Sequence, residues 1–178
     1  RCKSSPRILI VGAHGRVGSG ALALALQLEL ETISWDIEET AAGGPFNEIL
    51  MHDILVNCVL VQSSMPPFIT EKMLDLPREL SVITDVSCDP YGDYNPIPLY
   101  QDCSTMIEPI IHLRPPPAVL DLIAIDNLPT LLPLESSIDF SRQLLPTLLQ
   151  LQQDQDNTWS RASELFDDFY RQASECTL

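Results

Sequence analysis

The sequence predicts an α/β fold: a Rossmann-like doubly wound parallel sheet with a C-terminal helical extension. Three observations carry that expectation. Ile8-Leu9-Ile10-Val11 is a continuous, β-branched apolar run of the kind a strand buried on both faces requires. Gly12, Gly15 and Gly18 follow at once and lead into the apolar segment 21–30. Two more apolar runs, 53–62 (DILVNCVLVQ) and 81–85 (SVITD), recur at spacings that leave room for crossover connections.

The first unit, residues 7–20 (RILIVGAHGRVGSG), reads as strand, glycine turn and helix. In such a unit the first glycine makes the turn and the second lets main chain approach a diphosphate. The third lets helix pack close on strand. The diphosphate then sits at the helix N-terminus, where N–H groups without helical partners and the positive dipole end favour an anion. The spacing is GxxGxxG and no Lys-Ser or Lys-Thr follows, which disfavours a P-loop. Residues 32–36 (TISWD) form the second strand, and its terminal Asp36 lies 18 positions beyond Gly18, placed to accept from a ribose hydroxyl. Ile37, Glu38, Glu39 and Thr40 follow, with no cation. A 2′-phosphate there would meet like charge, at about 4 kcal/mol for one pair 4 Å apart at an effective dielectric near 20. The residues therefore favour NAD over NADP as cofactor; the alternative is a βαβ unit whose site is empty.

Further along, Gly43-Gly44-Pro45 marks a loop, 53–62 a third strand, and Pro66-Pro67 another loop. A short helix begins at 71 and ends near Pro77, and 81–85 is the fourth strand. Right-handed crossovers gather Gly12, Asp36, residues 58–61 and residues 85–87 on one sheet edge. Prolines make 90–98 irregular, 106–112 is a candidate strand, and Pro115-Pro116-Pro117 is a polyproline-like spacer. Residues 120–125 form a further strand. Ser136 or Ser137 caps a helix to about residue 145, which Pro146 breaks or kinks. After a polar linker (150–157) comes a last helix, 158–173, whose Trp159, Ala162, Leu165, Phe166 and Phe169 stripe suits packing. The division expected is an NAD-binding domain over 1–149, then a linker and helix over 150–178 that pack on it or on a missing substrate domain.

Formal charge is −15, from 25 acidic and 10 basic residues, which makes nucleic acid and anionic membrane poor partners. No apolar run reaches the roughly 18 residues of a membrane span. Cys2, Cys58, Cys88, Cys103 and Cys176 show no CxxC spacing and an odd count, so neither a zinc site nor a full disulfide framework is expected. No metal site is expected, and a reducing compartment fits best. His14 lies in the glycine loop; His52 and His112 are expected to be surface or internally satisfied. Asp85, Ser87 and Asp89 form a small acidic cluster that turn formation at Asp89-Pro90 explains in part. Cys58 reads as a buried small hydrophobe.

The stretches GAHGRVGSG, SWDIEETAAGGPF, DILVNC, TDVSCDPYGDYNPIPLY and AIDNLPTLLPLESS stand in the order found in fungal saccharopine dehydrogenase. Over residues 8–169 the chain resembles the C-terminal, NAD-binding half of that NAD-dependent, lysine-forming family. The resemblance implies NAD as cofactor and oxidation of saccharopine, with hydrolysis of the imine to lysine and 2-oxoglutarate in the α-aminoadipate route of lysine synthesis. Saccharopine would bind only with the absent substrate domain, which another chain could supply. The family's acid–base Lys and His belong to that other half, so no residue here is assigned as catalytic and this chain alone is expected to be inactive. By the same resemblance Gly15 and Arg16 lie at the pyrophosphate turn and Asp36 and Thr40 at the adenosine ribose. Leu60 and Ser87 lie at the third and fourth strand tips, and Asp126, Asn127 and Leu128 in a cofactor-contacting loop. Asn127 and Leu134 stand where similar enzymes carry His and Arg. That departure motivates the alternative, a non-enzymatic binding or assembly module. The compartment implied is the cytoplasm; Cys176-Thr177-Leu178 is a poor match to a peroxisomal Ser-Lys-Leu address. The start of the first strand almost at residue 1 suggests the later part of a longer protein.

Overall fold

The alternation of side chains along the first strand decides the core. In the computed structural model, which describes residues 5–61, 63–92, 94–154 and 157–175, β1 is Arg7–Val11. Leu9 and Val11 face one apolar cluster, while Ile8 and Ile10 face another. A strand buried on both sides has no polar face, which is why its sequence shows no alternation.

The elements that follow are α1 (Arg16–Gln27), β2 (Glu31–Trp35), α2 (Ile37–Thr40), β3 (Ile54–Asn57) and β4 (Val82–Asp85). Then come β5 (Ile111–Arg114), β6 (Leu120–Ile123), α3 (Pro133–Leu149) and α4 (Thr158–Glu175). The strands form one sheet in the order β2-β1-β3-β4-β6-β5. All neighbours run parallel except β5 and β6. This is the Rossmann-like α/β fold with helices at the C-terminus. Ala25 of α1 packs on Ile8, Ile10 and Ala13, while the opposite face is covered by connecting chain that inserts Ile49 from a 3₁₀ helix (Asn47–Met51) and Phe68, Leu80 and Ile97 from loops. Phe46 joins the glycine-proline loop to that core, edge-on to Trp35 at 5.4 Å and tilted against Phe68 at 5.6 Å.

Several elements depart from expectation. The third strand ends at Asn57, well short of residue 62. In place of a strand over 106–112, only Ile111–Arg114 pairs. It is antiparallel because Pro115-Pro116-Pro117 belongs to a five-residue hairpin connection, too short for a parallel crossover. The triple proline is thus a turn, not a spacer. Helix α3 starts at Pro133, whose fixed φ suits the first helical position, and runs through Pro146 to Leu149. Ser136 and Ser137 lie inside its first turns, where the Ser137 hydroxyl donates to the Pro133 carbonyl at 2.6 Å.

The chain divides into two compact units between Leu128 and Pro129. Within the second, the Trp159 indole N–H donates to the Thr147 carbonyl at 2.9 Å. Leu165, Phe166 and Phe169 of the α4 stripe are exposed. Among the described residues no helix is long and apolar enough to cross a membrane. Cys2, Cys176 and the C-terminal tripeptide lie outside the described residues.

Candidate functional site

Because β1, β2, β3, β4 and β6 run parallel, their C-terminal ends share one edge. The chain leaves β1 toward β2 and returns to β3 on β1's other side, which opens a crevice above β1. Gly12 takes φ +78°, a conformation that favours glycine, and its N–H and that of Ala13 donate to the Trp35 carbonyl at 2.8 and 3.1 Å. Those two bonds tie the loop to the end of β2. A Cβ on Gly18 would stand 2.0 Å from the Gly12 oxygen, so α1 can sit this close to the loop only with glycine there. Gly15 is the N-cap of α1 and offers no capping side chain, and the first turn holds no acid. The first-turn N–H groups therefore have no side-chain oxygen from the cap, and Gly15 and Arg16 stand exposed beside them.

Asp36 faces this mouth. One carboxylate oxygen accepts from the His14 main-chain N–H at 3.0 Å and the other from Ile37 N–H at 2.8 Å. The Asp36 N–H in turn donates to Glu39 at 2.7 Å, closing a cap on α2. The Asp36 carboxylate also accepts from the Glu39 main-chain N–H, completing the capping box, and two carboxylate oxygens still leave room for a further donor. A cavity of about 350 Å³ lies here, lined by His14, Ser34, Asp36, Ile37, Glu38 and Glu39. The two glutamates oppose a 2′-phosphate. Thr40 is buried, and its hydroxyl donates to the Asp36 carbonyl at 2.8 Å, so it steadies Asp36 from below.

The remaining expected positions lie along the same edge. Leu60 is exposed just past β3. The Ser87 hydroxyl donates to the Val59 carbonyl at 2.7 Å, lacing the exits of β4 and β3 together. Beyond β6, the Asp126 carboxylate accepts from Asn127 N–H at 2.7 Å, and Asn127 takes φ +60°. Asp126 and Asn127 are exposed and Leu128 is half-buried. The groups needed for a bound dinucleotide thus fit: an uncapped helix mouth and an acid directed toward it.

Beneath the edge is a polar network that sequence reading missed. Asn57 and Asp85 end β3 and β4 in direct register, and both are buried. The Asn57 amide donates to Asp85 at 2.9 Å, and the Tyr100 hydroxyl donates to the other Asp85 oxygen at 2.7 Å. Burial, then the hydrogen bond to Asp85 and its charge, pushes the Tyr100 hydroxyl well above its ordinary pKa. Burial and the Asp85 charge push the Cys58 thiol up to about 11. The signal lay in the lone polar letters closing ILVN and VITD, although nothing local announces Tyr100. His52 is buried with a ring nitrogen 2.9 Å from the Glu48 carbonyl. His112 stands 2.6 Å from Asp121, opposite it in the β5–β6 pair. Among the described residues no three His, Cys, Asp or Glu side chains gather as metal ligands.

The alanine dehydrogenase/PNT C-terminal domain model matches residues 46–171. The Schizosaccharomyces pombe saccharopine dehydrogenase (NAD(+), L-lysine-forming) is 46% identical over 172 residues, covering 91% of this chain and 46% of that protein. The enzyme of the same name from Emericella nidulans is 46% identical over 173 residues, and that from Yarrowia lipolytica 45% over 168. Coverage is the same in both, 91% of this chain and 46% of the relative. The chain therefore spans about half the length of the curated relatives it matches.

Proposed function

The chain belongs to the alanine dehydrogenase/PNT C-terminal domain family, and on that premise we propose that it is the NAD-binding half of a saccharopine dehydrogenase. The observation that carries this is Asp36 turned onto the loop at the open mouth of α1, with its carboxylate on the His14 N–H. In this reading the first-turn N–H groups of α1, from Arg16 to Gly18, receive the diphosphate, and Gly12 and Gly15 form the bare turn it lies against. Asp36 accepts from the adenosine ribose and Thr40 fixes Asp36. Leu60, Ser87, Asp126, Asn127 and Leu128 border the path from adenosine toward the nicotinamide end.

When bound, NAD supplies the hydride acceptor for oxidation at a carbon bearing nitrogen. The chain's own residues bind and orient, and the reaction needs the nicotinamide held at near-contact distance from substrate. A substrate domain outside this chain provides that closing surface and the proton-transfer groups. The full enzyme oxidises saccharopine and releases lysine and 2-oxoglutarate after hydrolysis of the imine. Asn127 and Leu134 favour a second reading, a module that retains the fold without the reaction.

Calorimetric titration should show NAD binding to this chain and much weaker binding of NADP. Absence of NAD binding to the folded chain sinks the proposal. The full-length gene product is then given saccharopine and NAD while NADH absorbance is followed. Turnover supports the enzyme reading, and a folded, NAD-binding product without turnover supports the module.

A further inference from the structure

We propose that Cys88 and Cys103 are a thiol modification site, closing to a reversible disulfide under a peroxide. Their sulfurs lie 3.1 Å apart, although the residues are separated by 15 positions. The backbone holds them there. Cys88 takes φ +48°, its N–H donates to buried Asp85 at 3.3 Å, and its thiol also reaches the Ala124 carbonyl at 3.1 Å. Next to Cys103, Ser104 exchanges two bonds with Ala124: its N–H donates to the Ala124 carbonyl at 2.8 Å and its hydroxyl accepts from the Ala124 N–H at 2.9 Å. Both thiols are thus referenced to the same residue beyond β6. A disulfide needs the sulfurs to close by about 1 Å.

The pair is also reachable. Neither cysteine is fully buried, and Cys103 lines a cavity of about 510 Å³ with Asp102, Ser104 and Thr105. The Cys88 thiol donates toward the Cys103 sulfur, and Cys103 is the one of the two that lines this cavity, so peroxide meets Cys103 first. The Cys103 sulfur takes one peroxide oxygen as the O–O bond breaks, giving a sulfenic acid and one water. The Cys88 sulfur then displaces that oxygen, forming the S–S bond, and the oxygen leaves as a second water with the Cys88 proton. Two thiols are oxidised by two electrons and one hydrogen peroxide is reduced. The bond would fasten the exit of β4 to the chain around Ser104, whether or not the edge holds a dinucleotide.

Trypsin gives a direct test, because peptide 79–142 contains Cys88 and Cys103 and no other cysteine. The folded chain is treated with hydrogen peroxide, alkylated, digested without reduction and weighed. The peptide should be lighter by two hydrogens and take no alkyl group, then take two alkyl groups after dithiothreitol. Chymotryptic cuts at Tyr91 and Tyr94 should leave the two halves joined. Closure should be at least about tenfold faster in the folded chain than in guanidinium, since the fold pre-positions the pair. Cys103→Ser should leave Cys88 alkylatable, while Cys58→Ser should leave the cross-link intact. Two alkyl groups after peroxide, separate sulfinic acids, links to other cysteines, or equal rates folded and unfolded would each overturn the proposal.

Discussion

Asp36 does three things with one side chain and one N–H: it holds His14, starts α2 and faces the mouth of α1. Asp36→Ala should weaken NAD by about 1–3 kcal/mol, the scale for a lost charged hydrogen-bond partner. Calorimetry checks this, with Asp36→Asn as the variant that keeps an acceptor for the loop. A loss below about 0.3 kcal/mol would remove Asp36 from the ribose role. Tyr100→Phe should lower stability by about 1–3 kcal/mol in urea unfolding, because one oxygen of buried Asp85 loses its donor. The pH dependence has a definite sign. Folding raises the Tyr100 pKa, so below the ordinary tyrosine value of about 10 both states keep the proton and this group adds no slope. Above it the unfolded chain loses its proton first, and stability falls as pH rises. Cys58 acts likewise, from the ordinary thiol value of about 8.5 up to about 11. Thermal melts should show a steeper alkaline decline in the parent than in Tyr100→Phe; identical slopes would remove Tyr100 as a source. Asp36 was legible because strand-tip acids follow a spacing rule. The Asn57–Asp85–Tyr100 network was not, because its third member arrives through tertiary packing.

The strand–turn–helix unit separates two kinds of glycine. Gly18→Ala puts a Cβ 2.0 Å from the Gly12 oxygen and should destabilise by about 1–3 kcal/mol, read as a lowered melting temperature. Gly15 has φ −71°, which any residue adopts, and its Cβ would meet only the Gly12 oxygen at 3.3 Å. Gly15→Val should therefore stay folded and lose NAD affinity. Retained affinity in a folded Gly15→Val protein would count against the diphosphate position. The buried strands were legible from apolar runs because burial on both faces leaves no other pattern. The path through Pro146 was not, since a missing N–H in one turn does not reveal that the flanking turns hold. Nor could three consecutive prolines show that they belong to a hairpin and not a spacer, as strand direction there depends on pairing with β6.

At the scale of the chain, a formal charge of −15 confronts an anionic cofactor. Attraction must come from the helix mouth at contact range, while repulsion from the whole surface acts at longer range. Salt screens distant charges first, with a Debye length of about 10 Å at 0.1 M. Raising ionic strength from low to physiological should therefore tighten NAD binding or leave it unchanged in calorimetry. Marked weakening would mean that surface cations, not main-chain donors, hold the ligand. Composition made the charge legible but not how the local donors are arranged against it.

The bond from Asp36 to the His14 amide has a practical corollary for coenzyme re-engineering. Recruiting a 2′-phosphate by deleting this acid would also unpin the glycine turn and free the start of α2. A workable swap would begin with Asn or Ser at 36 to keep an acceptor, then bring in a cation at 38, leaving in place Glu39, whose carboxylate accepts from the main-chain N–H of residue 36.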